Sequence, residues 1–149
     1  MQDVVNRKVN YKLYPSNSQK LLLETIFSNH RKLYNALLEQ RIYVWKSNQK
    51  SLSYADQCKQ ITILRKEFPE FQKINAQSLQ ETAKRLDRAY KAFFSRIKSG
   101  GTAGFPRFKS CERFSGWGYK THGDGWKIDT SRAKKVTKKK KTRGGFVCI

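Results

Sequence analysis

The chain has 149 residues, with 32 Lys/Arg against 11 Asp/Glu, a formal net charge of +21 and a pI of about 10.2. That excess works against a compact state unless an anion offsets it, and it points to nucleic acid or an anionic surface as partner. Aromatics make up 13%, which speaks against a wholly disordered chain, and the length suffices for one helical domain plus a small sheet unit.

No apolar run approaches the ~20 residues needed to span a bilayer, so no membrane partner is expected. The start MQDVVNRKVNY has no apolar stretch of the signal-peptide kind. Cys148 is penultimate, which does not fit a prenylation motif. Cys58, Cys111 and Cys148, with His30 and His122, form no CxxC or HxxxH spacing, so neither a metal nor another cofactor is expected. An odd number of widely spaced cysteines fits free thiols in a reducing, cytoplasmic setting.

In chain order, Val5 to Tyr14 alternates apolar and polar residues over part of its length and reads as a half-buried strand ended by Pro15. Ser16 is placed to cap a helix whose core face is Leu22, Leu23, Ile26 and Phe27. Ser28-Asn29 reads as a break, followed by a second helix with Leu33, Leu37, Gln40 and Val44 on one stripe, ending near Lys46 to Asn48. Two such helices form a helix-turn-helix or a plain hairpin; the pattern fixes no crossing angle and leaves both open.

Ser53 with Asp56 three residues on is a weaker form of the capping box, opening a helix with Ile61, Leu64 and Phe68 on its apolar face and Pro69 as its limit. Asn75 or Ala76 opens the last long helix. Leu79, Ala83, Leu86, Tyr90, Phe93 and Ile97 recur at helical spacing as a core stripe, and Ser99-Gly100-Gly101 ends it. Its opposite face carries Gln77, Gln80, Lys84, Arg88, Lys91 and Lys98, with Glu81 and Asp87 the only acids in the helix. A solvated charged face accounts for this pattern. So does a nucleic-acid contact, with Gln reading adenine edges and the cations meeting phosphates.

The stretch GFPRFKS, 104–110, combines two aromatics, a proline and two cations. Phe105 and Phe108 are expected to wedge helices against a second subdomain, with base stacking as the alternative, while Arg107 and Lys109 face outward to phosphate. In RFSGWGYKTHGDGWKID, aromatics crowd among glycines, which suits short strands and tight turns. The final part has eight cations and no acid after Asp129, no periodicity and a run of four lysines. It is expected to be disordered in isolation and able to bind polyanions without sequence preference. The eleven acids are scattered, and no phosphate loop, nucleophile elbow or HExxH occurs. His30 is expected on a helix surface and His122 in a turn, neither catalytic.

The ordered series KLYPSNSQ, YNALLEQRI, LSYADQ, LQETAKRLDRAYKAFF, GFPRFK and RFSGWGYKTHGDGWKI, over residues 5 to 128, resembles the amino-terminal region of TnpB/OrfB. These are transposon-associated, RNA-guided nucleases related to compact type V CRISPR effectors. The resemblance implies a mostly α fold with a small β part, in which a helical recognition bundle is inserted into an incomplete wedge-type β-barrel. Residues 1–15 would supply the first barrel strand, 16–99 the helical insertion, 100–129 the return to barrel strands, and 130–149 the basic tail.

The family's RuvC-like nuclease and CxxC zinc ribbon lie beyond the region resembled, so no catalytic activity is expected. From Asp129 on, DTSRAKKVTKKKK departs from the family's further apolar strands. A frameshifted or decayed reading frame would give this text, leaving a remnant without function, and so would a short product made deliberately. By the resemblance, Tyr54 and Gln80 match positions that face the family's target-adjacent DNA motif, and Tyr119 matches on the barrel side. Cys58 stands where serine occurs and Ala76 where lysine occurs. The expected interface therefore comprises base contacts from Tyr54, Gln77, Gln80 and Tyr119, and phosphate contacts from Lys84, Arg88, Lys91, Arg107 and Lys109. DNA is the expected partner, with guide RNA as a second. The rival class is a helical protein-interaction or dimerisation module, and the oligomeric state is open.

Overall fold

The computed structural model describes residues 8, 10–129 and 146–148. Four helices make up most of it: α1 (Asn17–Asn48), α2 (Tyr54–Glu67), α3 (Pro69–Gln72) and α4 (Ala76–Lys98).

The helix ends follow from local chemistry. Ser16 and Gln19 form a reciprocal capping box at α1, the Ser16 N–H donating to Gln19 Oε1 at 2.9 Å. Ser53 and Asp56 do the same at α2, so Asp substitutes for the usual Glu, and the Ser53 hydrogen bonds hold the Asp56 carboxyl below its ordinary pKa. Phe68 leaves α2 with extended backbone, as a residue before proline should, and Pro69 opens α3. Asn75 caps α4 by accepting from the Gln77 and Ser78 N–H groups. At its far end Gly100 has φ 72°, Gly101 N–H donates to Arg96 O and Gly100 N–H to Ile97 O, the paired bonds of a Schellman ending.

The expected break at Ser28-Asn29 is absent: α1 runs unbroken for 32 residues. Ser and Asn inside a helix cost only ~0.5 kcal/mol each against alanine. Asn29 and His30 are both buried, so packing of this turn outweighs that penalty. The turn lies instead after α1, where Gln49 adopts φ 55° and its N–H donates to Trp45 O.

α4 packs against both α1 and α2. The core takes Leu33, Leu37 and Leu38 from α1, Ile61 from α2, Phe71 and Ile74 from around α3, and Leu79, Ala83 and Leu86 from α4. A buried polar network ties the three long helices. Arg41 Nε donates to Gln57 Oε1 at 2.8 Å and Arg41 Nη2 to Asp87 Oδ1 at 3.2 Å, while Gln57 Nε2 donates to Leu37 O at 2.9 Å. Burial pushes the Asp87 carboxyl up, but its bonds to Lys91 and Arg41 outweigh this and leave its pKa lowered.

Two expected core faces are only partly buried. Leu22 on the first turns of α1 is exposed, with Leu23, Ile26 and Phe27 half-buried, and Ile97 near the end of α4 is exposed, with Tyr90 and Phe93 half-buried. The reason is helix length against cover. Arg41 of α1 meets α4 at Asp87, and the start of α2 lies beside Lys84 to Phe94. The last turn of α4 extends beyond both.

The segment after Gly101 differs most from expectation. Instead of short barrel strands, residues 102–126 contain none and run as an irregular strap over α1 and α4. Its backbone is satisfied by helix side chains rather than by a ladder. Asn35 Nδ2 donates to Lys109 O at 3.0 Å, and the Lys109 N–H donates to Asn35 Oδ1 at 2.8 Å. Arg85 donates to Gly116 O and, at 2.8 Å, to Ser115 Oγ. Phe114 is buried edge-on against Phe27, with centroids 5.2 Å apart. Trp117 stacks on His30 at 5.4 Å and 3°. At Gly125, φ is 80° and a Cβ would stand 2.5 Å from the Asn75 amide, so only glycine fits this turn against the α4 cap.

The described strands are β1 (Lys127–Asp129) and β2 (Phe146–Cys148), antiparallel with Ile128 opposite Val147. Thus part of the stretch expected to be disordered is paired; 130–145 and 149 lie outside the described residues. So do Val5 to Arg7 and Val9 of the expected first strand, and residues 10–16 carry no strand. The mostly helical class stands, while no barrel is formed among the described residues.

Candidate nucleic-acid interface

The N-terminus of α2 and the outer face of α4 lie side by side, bringing together three of the expected contact residues. Tyr54 is the first residue of α2, and Gln80 and Lys84 lie one turn apart on α4. The Lys84 ammonium sits 4.7 Å from the centroid of the Tyr54 ring. Lys120 of the strap completes the group. Its Nζ donates to Tyr54 Oη at 3.2 Å and to Gln80 Oε1 at 3.3 Å. Two cations, a phenol and an amide thus share one half-exposed patch. The Tyr54 hydroxyl is pushed above its ordinary pKa by desolvation first and by its bond to Cys58, against the opposing pull of Lys120, so it stays a neutral donor.

A groove of about 400 Å³ opens beside this patch, lined among others by Arg41, Tyr54, Lys84, Asp87, Tyr90, Lys91 and Phe94. Asp87 is its acid, and it is engaged by Arg41 and Lys91.

The other expected contact residues are placed variously. Gln77 is half-buried in the first turn of α4, its N–H spent on the Asn75 cap. Arg88 is exposed and bonded to Glu81 at 3.1 Å, and Lys91 is exposed and bonded to Asp87 at 3.0 Å. An anion arriving there would compete with these acids. Arg107 is exposed and Lys109 half-buried on the strap. Tyr119 is half-buried near Trp126, at 6.5 Å between centroids, and no bond joins it to the Tyr54 group.

The sequence reading missed Lys120, whose signal was its place two residues from a matched tryptophan-glycine run. It also misplaced His30. Far from lying on a helix surface, His30 is fully buried, its Nδ1 2.7 Å from Thr82 Oγ1, with Ser78 Oγ near the other nitrogen. Burial first, and the nearby Arg85 charge second, lower its pKa to about 4. His122 lies in a turn as expected, edge-on to Trp126 at 5.0 Å. Cys58 and Cys111 are free thiols, and no group of three His, Cys, Asp or Glu suited to a metal occurs among the described residues. No described helix is long and apolar enough to cross a membrane.

Comparison with known proteins bears on the same region. Residues 1–50 match the family model of a helix-turn-helix domain named for OrfB of IS605. This chain carries an OrfB-type helix-turn-helix domain. Within the matched span of the OrfB-type domain, the described structure is α1 and the turn at Gln49 that leads to α2. A putative RNA-guided DNA endonuclease from Streptomyces pristinaespiralis is 29% identical over 112 residues, covering 74% of this chain and 27% of that protein. The chain therefore spans about a quarter of the length of this relative.

Proposed function

We propose that this chain binds DNA through the α2 start and the outer face of α4, with guide RNA as a second partner, and that it does so as a binding element without nuclease activity of its own. The observation that carries the reading is the convergence of Tyr54, Gln80, Lys84 and Lys120 on one patch beside an open groove. The OrfB-type domain and the distant endonuclease relative support it.

In this reading Tyr54 and Gln80 face bases, with Gln77 and Tyr119 at the margins. Lys84, Arg88, Lys91, Arg107, Lys109 and Lys120 meet phosphates. Lys120 occupies the Gln80 amide oxygen in the free protein. Because Lys120 is exposed, moving its head to a phosphate costs little and frees Gln80 to accept from an adenine amino group while donating to the ring nitrogen.

Fluorescence anisotropy with a labelled duplex across a salt series tests this. The logarithm of affinity should fall against the logarithm of salt by about 0.9 per phosphate neutralised. A flat response overturns the reading. The exposed Leu21 and Leu22 favour a second one, a self-associating helical module. Replacing Lys84, Arg88 and Lys91 by Ala separates them: lost duplex binding with an unchanged oligomeric state supports DNA binding, and the converse supports association.

A further inference from the structure

The last third of α4 and the facing part of the strap carry a group of aromatic rings that the duplex reading leaves unused. Phe94 is 52% exposed, Phe105 47% and Phe108 53%. They are not loose. Phe105 stands edge-on to Tyr90 at 5.6 Å and 87°, and to Phe93 at 5.3 Å and 82°. Phe94 contacts Tyr90 and Phe93 in turn. Asn35 fixes the strap backbone at Lys109, next to Phe108. Edge-on contacts orient a ring while leaving about half of its surface in water.

The charge around these rings is mostly positive, and the acid of the adjoining groove, Asp87, is already engaged by Arg41 and Lys91. From Arg88 to Cys111 the chain has six cations, namely Arg88, Lys91, Arg96, Lys98, Arg107 and Lys109, and no acid. Lys91 and Phe94 also line the groove that starts at Tyr54 and Lys84, so the rings continue from the proposed duplex patch.

We propose that Phe94, Phe105 and Phe108 form a stacking platform for single-stranded nucleic acid, with phosphates held by the surrounding cations. The chemistry selects this occupant. A paired duplex presents base edges and phosphates, and has no free base face for an aromatic ring. An unpaired strand offers both a base face and a phosphate at every nucleotide, which matches alternating rings and cations. An apolar protein face would match the rings but leave Arg96, Lys98 and Arg107, which lie beyond the last acid of α4, without counter-charge.

This goes beyond duplex recognition at Tyr54 and stands or falls apart from it, since the two are read on different probes. The test compares the unaltered protein on three labelled 12-mers: oligo-dT, oligo-U, and an abasic strand of the same charge. Stacking predicts that both base-bearing strands bind about 5-fold to 100-fold more tightly than the abasic one. In Phe108→Leu and Phe105→Leu that advantage should shrink, while affinity for the abasic strand and for duplex stays the same. Equal affinity for abasic and base-bearing strands overturns the platform. So does a concentration-dependent dimer that is abolished by Phe105→Leu and leaves base-bearing strands no advantage, because the rings would then cover a second copy of this chain.

Discussion

The two ends of α4 carry the same apolar spacing and have opposite fates. From Leu79 to Leu86 the stripe is fully buried between α1 and α2, and it ends at a salt-bridged carboxylate, Asp87. From Tyr90 to Ile97 the stripe continues in sequence but emerges from cover into a group of half-exposed rings. Periodicity states which residues share a face. Whether that face is covered depends on where the neighbouring helices start and stop, which a single helix pattern does not contain.

The comparison can be broken most forcefully at its midpoint. Arg41→Ala would strand Asp87 without its buried partner and should cost about 4 kcal/mol in a denaturant titration. If the loss is under ~1 kcal/mol, the network is not what joins the three helices. Next, Leu86→Ala should cost about 3 kcal/mol, and Ile97→Ala well under ~1 kcal/mol. Equal losses would mean that the far end of the helix is covered after all.

His30 gives a pH signature confined to the buried end. Its folded pKa of about 4 lies below the free value of 6.5, so the unfolded chain takes up the proton first as pH falls. The neutral ring's contribution is complete above pH ~7, is lost downward by about 2 kcal/mol at pH 5, and levels off below the folded pKa. Asp87, whose pKa is lowered, loses its contribution only at lower pH. His30→Gln should flatten stability between pH 7 and 5, and an unchanged slope would assign it elsewhere.

Smaller still, Phe105→Ala should cost about 1.5 kcal/mol, roughly half of what a fully buried phenylalanine loses. Arg107→Ala should leave stability within ~0.5 kcal/mol while weakening nucleic-acid binding. Unfolding on removal of Arg107 would end the division between ring and cation in this loop.

Much of the fold was legible because helix ends are written locally. Ser16, Ser53, Asn75 and Gly100 each act within four residues of themselves, and each performs as its neighbours suggest. The unbroken passage of α1 through Ser28-Asn29 was not legible, since it depends on Thr82 and Trp117, which are distant in the chain and pack on His30. The candidate interface was half legible. Tyr54, Gln80 and Lys84, each named from the sequence, lie together, whereas Lys120 joins them only because the strap returns across α4. The strap was misread because alternating glycines and aromatics suit short strands, and nothing local says that Asn35 and Arg85 will supply the bonds instead.

That last arrangement has a consequence for how this surface can vary. Asn35 grips the strap through the amide and carbonyl of residue 109, and Arg85 grips it through the carbonyl of residue 116. Main-chain atoms are common to every amino acid. At residue 109 the path of the strap is thus held by the helix beneath it and the side chain is at liberty to be exchanged, whereas residue 116, with φ 117°, holds to glycine. A scaffold of this kind can acquire a new contact surface through substitutions in the strap alone, without the helices having to change in step.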